Sequence, residues 1–130
     1  MEKLKAGFTL IELIAVILIL SILAVAAIPQ FADLRTDASN AASAGIGGAL
    51  ASATALNYAK RLGSNSAGTV SILSCANVNS NITTLIGTVP AKYSVTGAAS
   101  TASTGVSLSC TVHDSTSGTT DQTFTAISVQ

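Results

Sequence analysis

The sequence predicts an α+β protein, a long N-terminal helix packed against a three- or four-stranded antiparallel sheet. Three observations predict it. Residues 8–28 form an apolar run whose single charge is Glu12, residues 31–62 are alanine-rich with a three- and four-residue recurrence, and three alternating β-rich stretches lie beyond Pro90.

The apolar run comes first. Its 21 residues, at about 1.5 Å per helical residue, span a bilayer core of roughly 30 Å. A carboxylate inside such a segment costs on the order of 2.5 to 3.5 kcal/mol at the bilayer centre, so Glu12 calls for a partner. A secretory signal would have a shorter apolar core with its small-residue cleavage site after that core. Here the order is inverted: Lys3 and Lys5 lie in a seven-residue leader, and Ala6-Gly7 precedes the apolar stretch. Cleavage after Gly7 would leave the hydrophobic helix on the mature chain, and the basic leader would keep the N-terminus cytoplasmic.

Lys5-Ala6-Gly7-Phe8-Thr9-Leu10-Ile11-Glu12-Leu13, followed by the long apolar run and Pro29, resembles the class III signal of type IV pilins and pseudopilins. The resemblance implies a cut after Gly7 by a prepilin peptidase, N-methylation at Phe8, and membrane insertion followed by assembly into a helical homo-oligomeric filament by the inner-membrane pilus machinery. Phe8, Glu12 and Pro29 are the implied assembly residues, with Glu12 engaging the N-terminal amine of a neighbouring subunit. A packed apolar core has low effective dielectric, where an amine partner offsets much of the cost of burying a carboxylate. The type IV pilin fold is implied with it. Residues 31–41 further resemble the mannose-sensitive haemagglutinin pilin group.

The helical pattern continues past Pro29, giving one expected helix over residues 8–62. Leu34, Ala38, Ala41, Ala42, Gly45, Ala49, Ser52 and Leu56 recur with the period of one helix face. Such a helix would be roughly 80 Å long, so its N-terminal half is expected to project. Pro29 lacks an N–H donor and crowds the carbonyl of Val25, predicting a kink or local melting over residues 21–29. Gly45, Gly47 and Gly48 each cost about 1 kcal/mol relative to alanine, and are read as a seam where the globular domain lies against the helix. Lys60-Arg61 sits where the helix should end, before Gly63, at the negative dipole end.

After Leu62 the composition turns to Gly, Ser, Thr and Asn. Residues 63–68 read as a connection, and residues 75–85 as a short helix. Strands are expected over residues 92–96, 105–113 and 122–129, with Val106, Leu108, Cys110 and Val112 sharing one face, as do Phe124, Ala126 and Ser128 or their alternates. One face of that sheet needs cover, and the C-terminal half of the long helix is the large candidate. The domain reading is therefore 1–7 leader, 8–29 membrane and filament-core half-helix, 30–62 amphipathic half-helix, and 63–130 β-rich head.

A head this small wants a staple. The two cysteines, Cys75 and Cys110, lie in a part of the chain expected outside the cytoplasm, so one disulfide is the natural reading. Metal binding by the cysteines would need two more ligands, and the chain has one histidine, His113. The loop of residues 114–121 carries Asp114 and Asp121 with hydroxyls between them. That composition admits calcium, though a solvated hairpin loop is the commoner arrangement and no EF-hand pattern is present.

Other functions find little footing. Without the leader, Arg35, Lys60, Arg61 and Lys92 face Glu12, Asp33, Asp37, Asp114 and Asp121, and no basic run suits a phosphate backbone, so no nucleic-acid partner is expected. His113, beside Asp114 and Ser115, makes no triad, so an enzyme is not expected, nor a cofactor. Phe8, Phe31, Tyr58, Tyr93 and Phe124 are too sparse for conduction and are read as packing, and Asn81-Ile82-Thr83 fits a sequon without discriminating anything. Two readings follow: a pilin of a surface filament for adhesion, aggregation or motility, held in the bacterial inner membrane before assembly, or a pseudopilin of type II secretion. The resemblance favours the pilin, because pilin heads usually close a C-terminal disulfide loop whereas major pseudopilins use calcium. Cys110 lies within a predicted strand rather than near the chain end as in many type IVa pilins, so the family's receptor-binding loop does not transfer.

Overall fold

The computed structural model describes residues 7–63, 67–97, 103–116 and 118–130. Six elements follow one another: α1 (Leu10–Leu62), α2 (Cys75–Ser80), α3 (Ile82–Ile86), β1 (Tyr93–Gly97), β2 (Ser107–Asp114) and β3 (Gln122–Ile127). The strands form an antiparallel sheet in the order β1-β2-β3. A long, N-terminally apolar helix with a three-stranded antiparallel sheet is an α+β, type IV pilin-like fold. The chain divides into two compact units, Met1–Arg35 and Thr36–Gln130.

In the first unit, α1 starts at Leu10 rather than residue 8 because Thr9 is its N-cap. Thr9 Oγ1 accepts from the Glu12 N–H (3.3 Å), and the Glu12 carboxylate accepts from the Thr9 N–H (2.9 Å) and hydroxyl (2.7 Å). This is a capping box, which satisfies two otherwise orphaned donors. From Leu10 to Ile28 the helix has a mean hydropathy of 3.0 and buries none of its side chains. The expected melting over residues 21–29 is absent: the backbone stays helical through Pro29. Proline deletes one donor, and the helical turns on either side hold the backbone in place.

In the second unit, the inner side of α1 is Ser39, Ser43, Gly47, Leu50, Thr54 and Asn57, all buried. The spacing is helical, yet this is not the face the sequence singled out. Leu34, Ala38, Ala41, Ala42, Gly45, Ala49, Ser52 and Leu56 are all exposed. In an alanine-rich helix apolar content runs all the way round, so small residues do not mark the inner side; what marks it here is Leu50 together with polar groups that find partners. Thr54 Oγ1 accepts from the Ile127 N–H (3.4 Å), and Asn57 exchanges two bonds with the Val70 backbone (2.8 and 2.9 Å). The glycine seam reduces to Gly47, where a Cβ would lie 3.5 Å from Phe124 Cβ; Gly45 and Gly48 have nothing within 4 Å.

The sheet's inner face follows strict alternation. Val95, Leu108, Cys110, Val112, Phe124 and Ala126 join Leu50, Ile72 and Val78 in one core, with Val95 opposite Val112 and Cys110 opposite Phe124. Val106, expected on that face, precedes β2 and is exposed. The helix expected over residues 75–85 is two short ones. Asn81 breaks it, its backbone turning to φ −107° and ψ 14° while its side-chain amide donates to the Asn77 carbonyl (2.9 Å). The β-rich stretch expected to run to residue 129 ends as a strand at Ile127, beyond which Val129 bridges Ile72.

Cys75, at the start of α2, forms a disulfide with Cys110 in the middle of β2, their Cα atoms 5.5 Å apart. A separation of 35 residues makes this cross-link worth roughly 4 kcal/mol in the chain-entropy account. Gly97 is required beside it. Its φ is +130°, and a Cβ there would lie 2.8 Å from the Ser109 carbonyl and 3.2 Å from Cys75 Sγ.

Candidate functional site

The residues proposed for processing and assembly gather at the start of α1. Gly7 has nothing within 4 Å of where its Cβ would be, and Phe8 is 84% exposed. The bond between them lies in non-helical backbone ahead of the Thr9 cap, the kind of segment a peptidase can hold extended. Glu12 lies one helical turn further on, in the capping box with Thr9. The Thr-x-x-Glu pattern that announces this box is legible in the sequence, although hydropathy and motif alone pass over it. Its consequence is chemical: before any partner arrives, the Glu12 carboxylate is already aimed at the backbone N–H preceding α1. A neighbouring amine would compete with Thr9, a residue one turn away, rather than fill an empty position. Residues 1–6 of the leader, and the side chain of Pro29, lie outside the described residues.

A second polar group gathers in the head. Asp114 closes β2 in phase with Leu108, Cys110 and Val112, and its side chain is fully buried. Lys92 Nζ donates to Asp114 Oδ2 (2.8 Å) and to Ser39 Oγ (2.8 Å), the Ser39 hydroxyl donates to the same carboxylate, and the Thr116 N–H donates to Oδ1 (2.9 Å). Burial pushes the Asp114 carboxyl up, but the bonds from Lys92, Ser39 and Thr116 outweigh it and hold it well below the usual carboxylate range. The bond to Asp114 raises Lys92 in turn, and Nζ lies 4.5 Å from the Tyr93 ring centroid. This clasp ties α1 to the sheet. Neither Lys92 nor Ser39 stands out in the sequence; the signal for Asp114 is its parity in β2, which puts a charge on the inner face.

The reading of Asp114 as part of a solvated hairpin loop is therefore corrected, because strand alternation carries it into the core. Asp121 is exposed and pairs with His113 Nδ1 at 2.7 Å on the outer side of the sheet. The two carboxylates whose loop composition admits calcium thus have separate partners. Among the described residues no three of His, Cys, Asp and Glu come together; Ser117 in the same loop lies outside them. His113 is exposed on the central strand.

Residues 3–28 match the family model of the prokaryotic N-terminal methylation motif. This match supports a type IV pilin-like or pseudopilin-like precursor. The motif covers Gly7, Phe8 and Glu12 and ends just before Pro29, so it takes in the exposed apolar span and none of the head. It belongs to a structural class of proteins and not to an enzyme class. Prepilin peptidase processing and filament assembly in general, and anchoring in a membrane beforehand, are what the methylation motif implies. No curated protein and no solved structure is significantly similar to the chain.

Proposed function

We propose that the chain is a structural subunit of a type IV pilus, cut after Gly7, methylated at Phe8, and polymerised through the first half of α1 into a surface filament for adhesion, aggregation or motility. The observation that carries this is the span Leu10–Ile28, whose one charge is Glu12 and which is wholly unburied, directly behind the methylation motif's cleavage residues. Covering what its Leu, Ile and Val side chains leave exposed is worth on the order of 10 kcal/mol or more. A bilayer supplies that cover first and neighbouring subunits supply it afterwards.

In this reading residues 1–7 are the leader, 8–29 the membrane and filament-core half, 30–62 the half that carries the head, and 63–130 the head. The subunit waits in the bacterial inner membrane and ends in the extracellular filament. Its partners are copies of itself, the prepilin peptidase and the inner-membrane assembly machinery. Glu12 turns from the Thr9 cap to the methylated amine of a neighbour, fixing register, and Pro29 marks the end of the packed half. The Cys75–Cys110 disulfide supports a pilin over a pseudopilin of type II secretion.

Intact-mass spectrometry of filaments sheared from cells, with and without reductant, tests the proposal. The expected species begins at Phe8, is one methyl heavier than its sequence, and gains two hydrogens on reduction. A chain uncleaved at Gly7 would sink the proposal, and a processed chain confined to the membrane fraction would favour the pseudopilin. Glu12→Leu is expected to leave the protein membrane-inserted while filament yield collapses.

A further inference from the structure

The second unit exposes an uncharged helix face bounded by opposite charges. Between Asp37 and Lys60, α1 carries no charged residue, and its outer side from Ala38 to Leu56 is alanine, glycine, serine and leucine. Asp37 stands exposed at one end of this stretch, and Lys60 and Arg61 stand exposed at the other. Among the described residues Lys92 pairs with Asp114 and His113 contacts Asp121, and these three charges belong to neither contact. Lys60 also borders a cleft of about 130 Å³, lined by Ala53, Leu56, Asn57, Val70 and Leu85 among others.

Helical geometry decides how a second copy could satisfy both ends. Asp37 and Lys60 are about 35 Å apart along the axis and about 140° apart around it at 1.5 Å and 100° per residue. An antiparallel two-fold pair would need acid and base on one shared face, because an isologous patch contacts itself. Two parallel copies, in contrast, present opposite flanks to each other, so the acid flank of one meets the basic flank of the next. The contact is heterologous and does not close, which is the kind that propagates a filament.

We infer that Asp37 of one copy docks against Lys60, Arg61 and the adjoining cleft of a parallel second copy displaced by about 35 Å along α1, fixing the axial stagger between subunits. The inference rests on the filament reading above and names a contact within it. At this displacement residues 37–60 of one copy run beside residues 14–37 of the other, and the charges select which register they adopt.

Charge reversal and exchange test this. Asp37→Lys alone, and Lys60→Glu with Arg61→Glu, are each expected to cut sheared-filament yield by about tenfold or more, since like charges then face each other. Combining all three reversals is expected to restore yield. In the same preparations, a Phe8 terminus and an intact disulfide by mass spectrometry establish that each variant is folded and processed. Independently, carbodiimide treatment of wild-type filaments is expected to give an Asp37–Lys60 cross-link that, at this separation, can only join two copies.

Wild-type yield from Asp37→Lys would overturn the contact while leaving the filament reading intact. So would a processed triple variant as defective as the single reversals, or Asp37 cross-linking only to a different protein. Wild-type cells without filaments would instead overturn the filament reading, and the contact with it.

Discussion

Along Leu10–Ile28, α1 turns every leucine, isoleucine and valine outward, whereas some twenty residues later the same helix buries Leu50 completely beneath the sheet. The first stretch is ordered by its own backbone bonds and one capping box. The second is ordered by a core, a disulfide and an ion pair whose carboxylate is buried. Two kinds of stability therefore run along one continuous helix. Substitutions in the first region should register when the surroundings change, in membrane or filament, and substitutions in the second should register in unfolding of the chain itself.

The sharpest way to separate them is to remove the staple. Replacing Cys75 and Cys110 together by serine should lower the stability of the second unit by roughly 4 kcal/mol, read as an early unfolding transition of the full chain in detergent micelles. Its membrane partitioning should not change. An unaltered unfolding midpoint would mean that the loop between the cysteines is already held by other bonds, such as the one Asn79 Oδ1 accepts from the Val95 N–H (2.8 Å).

Next in size is a matched pair of truncations. Leu50→Ala deletes a fully buried side chain and should cost about 3 kcal/mol in the same assay. Leu18→Ala, on an exposed position of the first unit, should stay within about 0.5 kcal/mol. Equal effects would break the comparison, because Leu18 would then be covered by its own chain.

These contrasts also explain what could be read from the sequence. The apolar span is nearly all large aliphatics, so length and hydropathy identify it without any fold. The strands were legible because Leu108, Cys110 and Val112 alternate with hydroxyl residues. Asp114 continues that alternation, but its charge suggested a loop, and only its partners Lys92 and Ser39, 22 and 75 residues away, reveal why it is inside. The inner side of the second half of α1 was hidden for a different reason. Ser39, Ser43, Thr54 and Asn57 are polar, so a search for apolar periodicity passes over them, and their burial is explained by long-range hydrogen bonds that local sequence does not encode. The Thr9–Glu12 box shows the reverse case, a local pattern readable in four residues.

Asp114 supplies a prediction in which only the second region responds. Its folded carboxyl is held below the ordinary value of 3.8. A depressed folded pKa contributes stability that is present above the unfolded value and is lost as pH falls through the folded one. The wild-type chain should thus weaken progressively below about pH 4. Lys92 is raised above 10.5, so its share is present below that pH and fades as the solution becomes more alkaline. Asp114→Asn should flatten the acid limb and leave the protein less stable at neutral pH, where Lys92 has lost its counter-charge. An unchanged acid limb in that variant would assign the pH response to other carboxylates.

The smallest effect tests where the second half of α1 ends its dealings with its own head. Gly48 is exposed, with nothing within 4 Å of where a methyl would stand, and Gly47 would place one 3.5 Å from Phe124 Cβ, an ordinary contact distance. Gly48→Ala and Gly47→Ala should therefore each gain about 1 kcal/mol of helix stability, since neither methyl displaces a neighbour. Both gains should appear in unfolding of the isolated subunit. If Gly48→Ala stabilises the subunit yet lowers filament yield, the outer side of α1 is where another copy comes close, since an added methyl can only obstruct a surface that something else approaches.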